Sequence, residues 1–219
     1  YLYKHLYYNL ILEIDGIENG IPPFPGKPVY NICTHLNARV SRLNRPWRKL
    51  ENWNATQQFY KAMDLVGEEF REKIKQILEQ RYPAREVLLR AFSNRYNVHH
   101  SGEIIKLGMH CPWKSHFFEI ERQEKIEPPI KYVIFSSEGN NRVQCVPSSE
   151  ESYGCRIFFP KSWRGLRGEA LSKEVGIKGC IFVHASGFIG GHRSMEGALE
   201  MALRSIRNNE IIHKLATNN

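Results

Sequence analysis

Leu2, Leu6, Leu10, Ile14 and Ile17 recur three and four residues apart, which lays one apolar stripe along a helix. Asp15-Gly16 and Asn19-Gly20 end it, and Pro22, Pro23, Pro25 and Pro28 predict a stiff extended connection. Ile32 to Leu43 predicts a second short helix, stopped by Asn44-Arg45-Pro46. Asn54 followed by Gln57 has the form of a capping box, with Asn in place of the usual Ser or Thr. It opens the clearest helical pattern of the chain. Phe59, Met63, Val66, Phe70, Ile74 and Ile77 keep steps of three and four, ending before Pro83. This stripe is expected to pack into a core. Val87, Leu88, Ala91 and Phe92 predict a further helix after the proline.

The pattern changes after Asn97. Ile104-Ile105-Lys106-Leu107 reads as a short strand, and Tyr132 to Ser136 with Arg142 to Val146 as a hairpin around a four- or five-residue loop. Arg156 to Phe159 predicts another strand, Trp163 to Val175 a helix, and Cys180 to His184 a buried strand. The last helix is expected from Met195 through Ile206, with Ala198, Leu199, Ala202 and Leu203 on one face. Strands interleaved with helices predict an α/β protein: a helical N-terminal segment, residues 1–97, followed by a mixed-sheet α/β domain over 98–219.

Composition narrows the partners. Lys and Arg number 31 against 23 Asp and Glu, a formal charge of +8, which favours a polyanion, nucleic acid first. Five scattered cysteines, with no C-x-x-C pair, argue against a disulfide framework or a thiolate zinc site and for a reducing, intracellular compartment. Lys4, His5 and Glu13 interrupt the apolar N-terminus short of the roughly 20 residues a bilayer needs, so neither an anchor nor a signal peptide is expected. The chain has no initiator Met and opens inside a helical pattern, which suggests a fragment. Arg39, Arg42, Arg45, Arg48 and Lys49 surround Trp47 without an acidic neighbour. The group reads either as a track for a single-stranded backbone or as a solvated face with Trp47 packed as a lid. Arg164 and Arg167 beside Trp163 form a weaker patch.

Between Cys180 and Arg207 the expected order is strand, glycine-rich turn, helix. Glycines let backbone N–H groups approach an anion, and a helix N-terminus attracts phosphate. Ser186, Gly190, Gly191, His192 and Arg193 are the candidate phosphate contacts, against the plain alternative of a tight turn with no ligand. His184 reads either as a phosphate contact or as a buried, satisfied histidine. The spacing fits neither a dinucleotide fingerprint nor a P-loop, and Ser186 sits in no nucleophile elbow.

The run from Gly179 to Arg193 resembles the C-terminal signature of the melanocyte-proliferating-gene exonuclease family. Other stretches are similar to that family too: Glu13-Ile14-Asp15, Ala38 to Asn44, Ala62 to Val66, Cys111 to Lys114, Gln144 to Pro147 and Trp163 to Arg167. The resemblance implies the DHH phosphoesterase superfamily, with an N-terminal domain that binds two divalent metals, manganese or magnesium, and a smaller substrate domain. It implies 3′→5′ exonuclease activity on RNA, in nucleus and mitochondrion, by metal-activated water. It places substrate phosphate on Gly190, Gly191 and His192, with Ile189 where the superfamily often has a first glycine. It makes Asp15 a metal ligand, where the plain alternative is a residue that helps terminate the first helix. Arg39, Arg42, Asn44, Arg164 and Arg167 are the expected nucleic-acid contacts.

The chain departs from the superfamily in having no Asp-His-His; its one adjacent histidine pair is His99-His100. Two-metal chemistry needs several converging ligands, which Asp15 cannot supply. No complete catalytic set is therefore expected here. The chain is expected to be the C-terminal, substrate-binding part of the protein, inactive and without bound metal by itself. Two alternatives remain open: a hydrolase of small phosphoesters or short oligonucleotides, and a noncatalytic nucleic-acid-binding module.

Overall fold

The computed structural model describes residues 1–27, 29–48 and 53–217, with side chains through residue 211. Pro28 of the expected connection and Lys49 of the basic cluster lie outside the described residues. The chain divides into two compact units, Tyr1–Tyr82 and Pro83–Asn219.

The first unit is helical. Its N-terminal stripe forms α1 (Leu2–Leu6) and α2 (Leu12–Glu18), joined by a wider π turn over Tyr7–Ile11. Asn19 closes α2 by donating both its backbone N–H and its side-chain amide to the Asp15 carbonyl, at 3.0 and 2.7 Å. Helix α3 (Leu36–Ser41) is shorter than the expected 32–43, because His35 Nδ1 caps its start by accepting from Ala38 N at 3.1 Å. Asn54 caps α4 (Ala55–Gln76), accepting from Gln57 N at 3.1 Å. Two expectations fail here. The helical path does not stop before Pro83: a π turn over Ile77–Arg81 leads into α5 (Tyr82–Ser93), and the wider turn relieves the crowding a proline ring imposes one turn back. The α4 stripe is also not core. Phe59 and Met63 are 62% and 53% exposed, Val66 and Phe70 are exposed, and only Ile77 at its end is buried.

In the second unit, α5 and α6 (Arg95–Val98) precede β1 (Ile104–Leu107), α7 (Lys114–Gln123), β2 (Tyr132–Ser137) and β3 (Asn140–Cys145). Then come α8 (Gly168–Val175), β4 (Cys180–Val183), β5 (Ile189–His192) and α9 (Met195–Thr217). The strands form one mixed sheet, ordered β1-β2-β3-β5-β4, parallel between β1 and β2 and antiparallel elsewhere. Strand alternation divides its apolar residues between two faces. Ile104, Tyr132, Ile134, Val143 and Val183 pack with Leu171 of α8 and Ala198, Met201 and Ala202 of α9. Ile105, Leu107, Val133 and Phe135 pack with Leu88 and Phe92 of α5, Phe117 of α7 and Trp113 just before it.

Three local readings change. The β2–β3 loop is two residues, Glu138 and Gly139, at φ +52° and +74°, because both sit in the left-handed region that a type I′ turn demands. Arg156 to Phe159 is no strand; Arg156 instead turns its guanidinium to Glu121 and the Ile130 carbonyl. The helix expected from Trp163 begins at Gly168, since 164–167 runs along the edge of β4: Gly165 N donates to Val183 O at 3.0 Å and Val183 N to Leu166 O at 3.1 Å. Helix α7 was without a predicted counterpart.

Candidate functional site

The Gly-Gly-His run is a strand and not a turn. The chain reverses earlier, at His184 to Phe188, where Gly187 takes φ +78°. Gly190 and Gly191 then lie on β5, flanked by β3 on one side and β4 on the other, so ladder pairing occupies both of their edges. Their missing side chains serve packing. A Cβ on Gly190 would stand 3.2 Å from the Phe159 ring, and one on Gly191 2.8 Å from Arg142 Nη1. The order is therefore strand, tight turn, strand, helix.

His192 ends β5 and is 3% exposed. Its Nε2 donates to the Lys178 carbonyl at 2.8 Å, which leaves Nδ1 to accept from Ser194 N at 3.0 Å. Ser194 Oγ in turn accepts from Gly197 N at 3.1 Å, capping α9. The imidazole thus joins three chain segments with both nitrogens engaged. Arg193 is exposed beside it, its carbonyl held by Asn141 Nδ2 at 3.1 Å. Ser186 and His184 are exposed in the turn at the other end of β5, sharing a 2.8 Å hydrogen bond. Ser186 and His192 therefore do not converge, and His184 is not the buried histidine of the plain reading. Arg164 stands at that same turn, donating from Nε to the Phe159 carbonyl at 2.9 Å, with its guanidinium 5.3 Å from the Phe158 ring; Arg167 is exposed at the start of α8.

At the head of α9 a cavity of about 500 Å³ is lined by Asn94, Asn97, Lys106, Met195 and Glu196, none of which the sequence marked as functional. Arg142 was missed too, although the outward beat of Arg142 and Gln144 against buried Asn141, Val143 and Cys145 carries the signal.

In the first unit, Asp15 is exposed and lines a cleft of about 850 Å³ with Glu13, His35, Tyr7 and Tyr30. Among the described residues no three His, Cys, Asp or Glu side chains converge as a metal would require. One or two carboxylates do not make a two-metal site, so the residues present do not fit the metals the resemblance implies. The His99 and His100 rings lie 4.0 Å apart at a 44° tilt, and burial followed by the His100 charge pulls the His99 pKa below the ordinary histidine value. Arg39 pairs with Glu69 at 2.8 Å, so part of the expected positive cluster is neutralised from α4. Arg42 donates to the Cys33 carbonyl at 2.8 Å, and Asn44 is exposed. Trp47 is no lid: it is 87% exposed, with the Arg48 guanidinium 4.6 Å above its ring. The cysteines are free thiols. Burial raises the Cys145 pKa, whereas a hydrogen bond from Cys145 and the charge of Lys114 lower that of Cys155.

Fold and side chains together define a basic, mixed α/β protein whose N-terminal unit is helical. Among the described residues no helix is long and apolar enough to cross a membrane. The chain belongs to the MYG1 exonuclease family, described as Uncharacterised protein family (UPF0160), whose profile matches residues 1–206. It is 41% identical over 209 residues to the MYG1 protein of Dictyostelium discoideum, covering 94% of this chain and 64% of that protein. It is 44% identical over 206 residues to the human MYG1 exonuclease, covering 92% of this chain and 54% of the human protein. The rat MYG1 exonuclease is also 44% identical, over 204 residues. The chain thus spans between about half and two-thirds of the length of these relatives. No solved structure matches it.

Proposed function

We propose that this chain is the strand-holding part of a metal-dependent phosphodiesterase of the DHH superfamily, a 3′→5′ exonuclease acting on RNA in nucleus and mitochondrion. The observation that carries the reading is the similarity, over 92% of the chain, to proteins named MYG1 exonuclease. The formal charge of +8 supports a polyanionic substrate. Divalent metal, manganese or magnesium, supplies water activation when bound, from ligands beyond these 219 residues. The residues of this chain hold and orient the strand. With His192 closed off by its own hydrogen bonds, the polar groups at the two ends of β5, exposed Arg193 at one and exposed Ser186 with part-exposed Arg164 at the other, are the ones that would meet phosphate.

The test is the full-length protein with manganese on single-stranded RNA labelled at the 3′ end and, in parallel, on an aryl phosphodiester. Release of labelled nucleotide from the 3′ end is expected, and chelation should abolish it. Turnover of the aryl ester without RNA cleavage would move the assignment to small phosphoesters; turnover of neither would leave a noncatalytic binding module.

A further inference from the structure

The two helical layers do not cover the sheet equally. On the α8–α9 face the apolar cluster reaches across the sheet, from Ile104 on β1 through Val143 on β3 to Val183 on β4. On the other face the cluster with α5 and α7 takes its strand residues from β1 and β2 alone. The remaining part of that face, over β3, β5 and β4, presents Arg142, Gln144, Ile189 and Phe182, all partly exposed.

Gly191 lies at the middle of this strip. A Cβ there would meet Arg142 Nη1 at 2.8 Å and Phe182 Cε1 at 2.9 Å, so glycine alone lets both side chains settle over the strand. The Arg142 guanidinium stacks on Phe182 at 5.2 Å from its centroid. Among the described residues no carboxylate pairs with Arg142, unlike Arg39, Arg156 and Arg204, and no Asp or Glu occurs on β3, β4 or β5. A glycine in a strand with paired edges weakens it and marks a close approach. Here the approach lays a planar cation over an aromatic ring, with the Gln144 amide along the same strand.

We infer that this strip is a stacking seat for a nucleobase of a single-stranded nucleic acid, with Phe182 and Arg142 as its contact residues. The inference rests on the proposed nucleic-acid substrate and says where on this chain the strand lies. A guanidinium layered on an aromatic ring offers a flat face on which a base of any identity can stack, and its charge, paired with no carboxylate among the described residues, suits the adjoining phosphate. The three strands that form it carry no acid to repel a polyanion.

The full-length protein, with metal chelated, is titrated with an RNA of about ten nucleotides carrying 2-aminopurine, and with an abasic strand of the same length. Stacking should quench the fluorophore. Phe182→Leu, which keeps the bulk of a partly exposed side chain, should remove the quench and weaken binding about tenfold. Arg142→Lys, which keeps the charge and loses the planar group, should weaken it several-fold; the abasic strand should bind less tightly than the RNA. Thermal melts check the fold, and Arg142→Gln serves as a second readout if Phe182→Leu melts early. Unchanged quench and affinity in a folded variant would place the strand elsewhere and sink the seat while leaving the nuclease reading intact. Equal affinity for the abasic strand would reduce the strip to a charged surface and overturn the seat as well. If the wild-type protein neither binds RNA nor cleaves it with manganese, the nuclease reading falls, and the seat falls with it.

Discussion

His192 draws its role from Gly197. The imidazole lies so close to α9 that a Cβ on Gly197 would overlap its Cε1. Replacing glycine by alanine inside a helix ordinarily stabilises by about 1 kcal/mol. Here the ring cannot step aside, because Lys178 O and Ser194 N hold it from two directions. Overpacking costs about 1–3 kcal/mol, so Gly197→Ala should lower stability by about 1 kcal/mol in urea unfolding. Adding His192→Ala should cost less than the sum of the two changes, as neighbours sharing one space do. Additive losses would show that the contact does not govern this junction. The residue types at Gly190, Gly191 and His192 were legible in the sequence as a special run. Their place was not: two glycines and a histidine look alike whether they form a turn or an inner strand.

Among the elements, α4 and α5 pose the sharpest contrast. Both carry an apolar stripe of helical period, and nothing in the spacing separates them. Phe92 of α5 is 2% exposed against β1 and α7, whereas Phe59 of α4 is 62% exposed. In the 219-residue chain, Phe92→Ala should therefore cost about 3–5 kcal/mol. Phe59→Ser should change stability by about 0.5 kcal/mol or less. Chemical unfolding of both variants checks this, and equal losses would mean that the α4 stripe is covered. The same limit explains the other changes of element. Periodicity reports which face of a helix is apolar; it does not report what lies opposite, nor that a π turn can carry helix past Pro83.

At the scale of the whole molecule, the described residues supply basic and aromatic surface without a converging metal-ligand set. Under the proposed function the 219-residue chain should bind RNA yet release no nucleotide with manganese, within the detection limit of the assay used for the full-length protein. Robust turnover by the chain alone would overturn the assignment of the metal ligands to the rest of the protein. The sequence by itself determined the α/β class, the N-terminal helices, strands β1 and β4, the positive charge and, through ordered motifs, the family. These are local or summed properties, fixed by period, capping residues and composition. Tertiary structure alone decided that the Gly-Gly-His run forms an inner strand, that Arg39 meets Glu69, and that Ser186 and His192 lie at opposite ends of β5. It also set Arg142 on Phe182 over a bare glycine. Such pairings join residues far apart in the chain, and they depend on strand order and register, which one chain's pattern of apolar positions does not encode.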